Sequence, residues 1–133
     1  MASSNPLGKI AAISLFVEDL AACKAFYTSV FGVPVVFEDD NGVVVKFDNV
    51  LINLLQVSEA PILVHPAAVG GPDAGKRSQI SIWVDDLQAV CDKLASKDVK
   101  LLTGPQLQPW GLRTITFVDP AGHSWEVGQQ EKQ

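Results

Sequence analysis

Two nearly identical segments carry side chains whose types and spacing suggest ligand chemistry. ISLFVEDL at 13–20 and ISIWVDDL at 80–87 share five of their eight residues and lie 67 positions apart. In each segment a serine and then an aromatic residue alternate with aliphatic residues, as on one face of a β-strand. Neither Ser14 nor Ser81 has a histidine on its row, so nucleophilic catalysis lacks its base.

The same alternation predicts which residues share that face in each half of the chain. A shift of 67 positions matches Ala12 to Gln79. A shift of 73 positions, which allows for a longer turn, matches Asn53 to Glu126. We expect these four positions to lie at the centre of a cleft. The full rows are Ala12, Ser14, Phe16, Leu51, Asn53 and Leu55 in the first half, and Gln79, Ser81, Trp83, Ser124 and Glu126 in the second.

The first module is predicted at residues 8–57. Its predicted order of strands and helices is β-α-β-β-β, and these elements position the first of the two rows. A strand from Lys9 to Val17 precedes Asp19, which suits a helix N-cap, and Gly32 suits the end of that helix. Three strands follow: PVVFE, VVVKFD and VLINLLQV.

The second module, predicted at 78–129, repeats this order. SQISIWV is a strand, Asp86 caps a helix, and VKLL is a strand that ends at Gly104. LRTITFV and HSWEVG follow, divided by the turn DPAG. Between the modules, 58–77 holds three prolines and three glycines, which predicts a connector with one helical turn at PAAV.

Composition sets the class of protein. The 133 residues, 47% of them hydrophobic, suit one domain at 1–133 with its own core. The net charge of −5, without a run of Lys or Arg, argues against nucleic acid as a partner. No leader and no apolar run of membrane length is visible, so we expect a cytoplasmic protein that does not contact a membrane. Two cysteines, Cys23 and Cys91, fall in predicted helices and suit buried thiols.

Together these patterns predict an α+β fold. Two tandem β-α-β-β-β modules related by a pseudo-twofold axis form a curved eight-stranded sheet, with the helices outside and a cleft within. Trp125 has the parity of the helix side and is expected in the core. Parity does not settle where Lys46 or Arg113 points.

The duplicated module, the V-[ED]-D-L corner and PWGLRTITFVDPAGHSWEVGQ resemble the vicinal oxygen chelate superfamily, which includes glyoxalase I, extradiol dioxygenases and bleomycin-resistance proteins. The resemblance spans roughly residues 8 to 129. In metal-dependent members, residues of the terminal strands converge on a divalent ion. Carried over, the ligand positions are Ala12, Asn53, Gln79 and Glu126, of which only Gln79 and Glu126 are suitable donors. We therefore expect no metal and no cofactor.

The segment Pro109-Trp110-Gly111 before an Arg-bearing strand resembles the bleomycin-resistance type. The resemblance implies metal-free sequestration of an aromatic or cationic small molecule such as an antibiotic, with no catalytic residues, by a homodimer that exchanges modules. Trp110 either contacts the ligand or fastens its loop to the sheet, and Arg113 alternatively pairs with a surface carboxylate. The other hypothesis is a glyoxalase-like lyase or isomerase with Glu126 as general base. The predicted ligand-binding residues are Trp110, Trp83, Phe16, Gln79, Glu126, Asn53, Ser81, Arg113 and Leu55.

Overall fold

A computed structural model describes residues 5–131. The chain divides into two units between Val69 and Gly70, inside the predicted connector. Each unit contains one four-stranded sheet, so the eight expected strands are present in two sheets. Within residues 5–131, no helix is long and apolar enough to cross a bilayer.

The first unit confirms the predicted β-α-β-β-β order. The side chain of Asp19 accepts a hydrogen bond from the Ala22 amide and caps α1, and Gly32, at φ 69°, ends the helical segment. The sheet order is β1-β4-β3-β2, with β1 parallel to β4. The elements are β1 (Ala12–Val17), α1 (Leu20–Phe26, continued by a π-helical turn at Tyr27–Phe31), β2 (Val35–Glu38), β3 (Gly42–Lys46) and β4 (Leu51–Gln56).

The core of the first unit lies between its sheet and α1. Alternate strand residues are buried against the helix, among them Val17, Val45 and Leu54. Tyr27 is also fully buried, and its ring stacks on Phe31 with centroids 5.1 Å apart. Burial on one side only leaves the opposite side of the sheet for other contacts.

The second unit repeats this arrangement, with sheet order β5-β8-β7-β6 and β5 parallel to β8. Asp86 caps α3 by accepting from the Ala89 amide. Ile115, Phe117 and Trp125 are fully buried, and Trp125, at 1% exposure, confirms the prediction that it belongs to the core. The elements are β5 (Gln79–Trp83), α3 (Leu87–Ser96), β6 (Thr103–Leu107), β7 (Leu112–Val118) and β8 (Ser124–Gln130).

Two predicted elements were misplaced. The helical turn expected at PAAV lies earlier, at α2 (Ala60–Val64), where Pro61 occupies the first turn and its missing amide hydrogen costs no bond. The strand expected at VKLL lies at β6 instead. Gly104 and Pro105 fit inside β6 because it is an edge strand with a register irregularity between Thr103 and Gln106.

Candidate functional site

The open face of each sheet is the side that points away from α1 or α3. In β8 the Gln129 side chain accepts a hydrogen bond from the Leu87 amide at the start of α3. Gln129 and the residues that alternate with it along β8 therefore face the helix. Ser124, Glu126 and Gly128 therefore point to the open face. The alternation predicted from the sequence is confirmed in both units.

The open face of the second unit carries a polar row across all four strands. Ser81 lies opposite Glu126, which lies opposite Thr116, which lies opposite Thr103. The Ser81 hydroxyl donates to Glu126 Oε1 at 2.9 Å. The Thr103 and Thr116 hydroxyls lie 2.6 Å apart in a second hydrogen bond. Beside this row, Gln79 Nε2 donates to Ser124 Oγ at 3.1 Å.

The indole of Trp83 lies close against Gly128. The two residues are register partners on β5 and β8, and a Cβ added to Gly128 would lie 3.0 Å and 3.1 Å from two carbons of the indole. Glycine therefore permits the close approach of the ring. Trp83 nevertheless remains 63% exposed.

The turn before β7 brings a second indole to the same place. The Gly111 amide donates to the Gln108 carbonyl, and Gly111 has φ 95°, so the turn presents Trp110 outward with 65% of it exposed. Trp83 and Trp110 line one cavity of about 340 Å³. The other lining residues are Val84, Asp85, Leu112 and Gln130.

The open face of the first unit is more apolar. Asn53 Nδ2 donates to Ser14 Oγ at 3.3 Å, and Phe16 lies beside Leu55 on the same row. Leu55 and Asn53 line a cavity of about 500 Å³ together with Ile62 and Leu63 of α2.

The direction of Lys46 and Arg113, which parity left open, is settled by register. Lys46 is the partner of Leu51 and so lies on the first unit's open face. Arg113 is the partner of Gln129 and lies on the helix side, where its guanidinium pairs with Glu131 at 3.0 Å. The alternative expected for Arg113, an ion pair with a surface carboxylate, is therefore present, and Arg113 does not share the sheet face of Glu126.

The remaining predicted residues fall into two groups. In the second unit the structure brings Trp110 beside Trp83, and Gln79, Ser81 and Glu126 together on the same sheet face. Phe16, Asn53 and Leu55 share the open face of the first unit.

Sequence reasoning missed several residues that line the two cavities, among them Asp85, Gln130, Ile62 and Leu63. Asp85 follows Trp83 by two positions, so extending the alternation past the end of the strand would have found it. The α2 residues had no such signal because their helix was expected elsewhere.

The donor set does not fit a divalent metal. Ala12 has no donor atom, and Asn53, whose Nδ2 donates to Ser14, offers only a neutral amide oxygen, a weaker ligand than a carboxylate or an imidazole. Gln79 and Glu126 remain, whereas a catalytic metal normally takes three protein ligands. Within residues 5–131, no group of three or more His, Cys, Asp or Glu side chains is placed to hold an ion.

Comparison with known proteins agrees with this architecture. The sequence model of the Glyoxalase/Bleomycin resistance protein/Dioxygenase superfamily matches residues 9–127, and the chain therefore belongs to that superfamily. No curated protein matches it significantly.

Solved structures show the same fold. A glyoxalase/bleomycin resistance protein/dioxygenase from Nocardioides has a TM-score of 0.82 at 21% identity, covering 98% of this chain and 87% of that one. A lactoylglutathione lyase from Agrobacterium tumefaciens has a TM-score of 0.74 at 24% identity, covering 94% and 96%. A glyoxalase-related enzyme from Fulvimarina pelagi has a TM-score of 0.80 at 23% identity, covering 93% and 89%. At these identities the likeness concerns the fold, since one fold hosts many functions.

Proposed function

We propose that the protein binds and sequesters, without a metal ion, a hydrophobic small molecule with flat aromatic rings, of the kind found among antibiotics. One observation carries this proposal: two indoles, each about two-thirds exposed, line a single cavity of about 340 Å³. Ligand cavities are typically a few hundred Å³ in volume and lined by aromatic side chains with a few polar groups.

Stacking and burial of apolar surface both favour a planar aromatic ligand. Aromatic rings stack with an advantage of about 0.5–1.5 kcal/mol beyond the area they bury. Covering about 100 Å² of apolar surface on each indole would contribute roughly 2.5 kcal/mol per ring at 25 cal/mol per Å². Trp83 is already seated against Gly128, so its ring needs little further ordering when a ligand binds.

The polar row lies outside the cavity on the same sheet face, and it offers hydrogen-bonding groups to a ligand that extends from the indoles along this face. Glu126 accepts from Ser81 through one carboxylate oxygen, and its other oxygen suits a ligand amine or hydroxyl. Gln79 precedes Ser81 by two residues on the same face of β5, and its side-chain carbonyl oxygen is a further hydrogen-bond acceptor. Separately, the open face of the first unit offers an apolar surface with one amide, formed by Phe16, Asn53 and Leu55.

Titration with metal-free bleomycin and with mitomycin C, followed by calorimetry and tryptophan fluorescence, tests the proposal. We expect at least one of them to bind at micromolar concentration, and Trp83→Ala or Trp110→Ala to weaken that binding by at least about tenfold, because each removes a stacking surface. Leu102→Ala is the matched control, since Leu102 is 60% exposed and lies outside the cavity. The proposal is overturned if neither drug binds, or if the tryptophan variants bind as well as the control.

A second candidate function is a glyoxalase-like lyase or isomerase, favoured by the hydrogen bond that orients the Glu126 carboxylate on the open face. Glu126 would act as general base on a small oxygenated substrate. Proton exchange of small α-hydroxyketones in D₂O tests it: exchange that Glu126→Gln abolishes supports the enzyme, and a bound drug that is recovered unchanged supports sequestration.

We also propose that the protein is cytoplasmic and that it forms a homodimer, as the sequence predicts. Cys23 and Cys91 are not joined in a disulfide, which suits a reducing compartment. Light scattering of the purified protein tests the dimer, and a monomer mass at micromolar concentration would contradict it.

A further inference from the structure

Asp85 is the charged residue among those that line the cavity of the two indoles. It follows Trp83 by two positions, at the corner where β5 leads into α3. The cavity is otherwise lined by the two tryptophans, Val84, Leu112 and Gln130, so no Lys or Arg in the described part of the chain offsets the carboxylate there.

Among the described residues, the Asp85 carboxylate makes no contact that stabilises the fold. The neighbouring Asp86 is the residue that caps α3, through its hydrogen bond from the Ala89 amide at 3.1 Å. Across residues 5–131, the structure gives Asp85 neither an ion pair nor a side-chain hydrogen bond. An exposed, unpaired carboxylate beside two exposed indoles is the arrangement that attracts an organic cation.

We infer that this cavity selects ligands that carry a positive charge on or next to a flat aromatic ring, with Asp85 as the residue that determines this selectivity. This inference rests on the proposed function and names its ligand class. The indole faces attract the cation through their quadrupoles, and the carboxylate of Asp85 adds a direct charge contact at the wall of the cavity. Glu126 is not among the residues that line this cavity.

The equivalent corner of the first unit does not combine a carboxylate with exposed indoles, so this combination is particular to the second unit. Glu18 occupies the position that matches Asp85, 67 residues earlier. The cavity at that corner is lined by Lys24, whose ammonium pairs with Glu38 at 2.8 Å, and by no tryptophan. That cavity is also lined by Glu18, Asp19, Asp39 and Asp40, so it is acidic, but its described lining offers no aromatic face on which a flat cation could stack.

Two probes of nearly the same shape test the inference at neutral pH: acridine, which is uncharged there, and N-methylacridinium, which carries a positive charge. Calorimetry on the full chain at low salt should show N-methylacridinium binding about five- to tenfold more tightly than acridine. Asp85→Asn should reduce this preference to about twofold or less, while the affinity for acridine stays the same.

Asp86→Asn is the matched control. It removes the same charge one position away, and asparagine caps a helix about as well as aspartate. This variant should keep most of the preference for the charged probe. Raising the salt concentration should narrow the gap between the probes in the wild-type protein, because screening weakens exposed charge contacts.

The outcomes separate the inference from the proposed function. If both probes bind equally, with affinity that depends on Trp83 and Trp110, the inference fails and the aromatic binding site stands. If Asp85→Asn and Asp86→Asn reduce the preference equally, the effect comes from net charge and the inference also fails. If neither probe binds, the inference fails together with the proposed aromatic site.

Discussion

Ser81 and Glu126 form a hydrogen-bonded pair on neighbouring strands, with the serine hydroxyl donating to the carboxylate over 2.9 Å. The first unit has a counterpart at the same register, where Asn53 donates to Ser14 over 3.3 Å. The duplication has thus kept a serine and changed its partner from a neutral amide to an acid. A charge-assisted hydrogen bond is stronger than a neutral one.

Removing the serine should therefore have unequal effects in the two units. Ser81→Ala is expected to lower the free energy of unfolding by about 1 kcal/mol, because the carboxylate loses its donor. Ser14→Ala, the matched control, should cost less than about 0.5 kcal/mol. Urea denaturation of both variants measures the difference. Equal effects would contradict the assignment of a stronger bond to the second unit.

Gly128→Ala should displace the indole of Trp83 without unfolding the protein. The new Cβ would lie 3.0 Å from the ring, and the exposed ring is free to move outward by a few tenths of an ångström. We expect a changed near-ultraviolet circular dichroism signal, weaker binding of the aromatic ligand and a loss of stability of no more than about 1 kcal/mol. Gly71→Ala is the control, since nothing lies within 4 Å of its added Cβ. An unchanged spectrum and affinity would show that the close contact is not important.

Gly104→Ala should be far more damaging. Gly104 has φ 89°, and an added Cβ would collide with the carbonyl oxygen of Thr114 on the neighbouring strand. The expected loss is at least about 3 kcal/mol, from backbone strain and from separation of β6 and β7. Gly75 has φ 84° with nothing near its added Cβ, so Gly75→Ala should show only the strain of about 1 kcal/mol. Thermal unfolding of the two variants separates the effects, and equal losses would rule out the collision.

The Cys91 thiol should react slowly in the folded protein. Burial disfavours the thiolate, and the nearby Asp92 carboxylate repels it, so the pKa of Cys91 is raised above its ordinary value. At mildly alkaline pH, a smaller fraction of Cys91 is therefore thiolate in the folded protein than in the unfolded chain. Because the thiolate is the reactive form, reaction with a disulfide reagent should accelerate several-fold when urea unfolds the chain.

Two variants identify the source of this protection. Asp92→Asn should speed the reaction of the folded protein less than unfolding does, because burial is the larger cause. Cys91→Ser should abolish the reaction of the folded protein, since Cys23 is 1% exposed. Rapid labelling of the folded wild-type protein at the unfolded rate would contradict the raised pKa.

Much of the fold follows from short-range patterns. Asp19 and Asp86 were identified as helix caps because a capping side chain bonds to an amide only three positions away. Alternation likewise predicted that Trp125 is buried and that Trp83 and Glu126 point to the opposite side of the sheet. These features depend on neighbouring residues, so the sequence by itself determined them.

Other features were decided only by tertiary structure. The sequence did not show that Trp83 rests on Gly128, that Arg113 turns to Glu131, or that Asp85 joins the two indoles in one cavity. Each depends on register between strands that lie far apart in the chain, or on the path of a turn. Strand pairing through backbone hydrogen bonds fixes that register, and a step of one residue would turn each side chain to the other face.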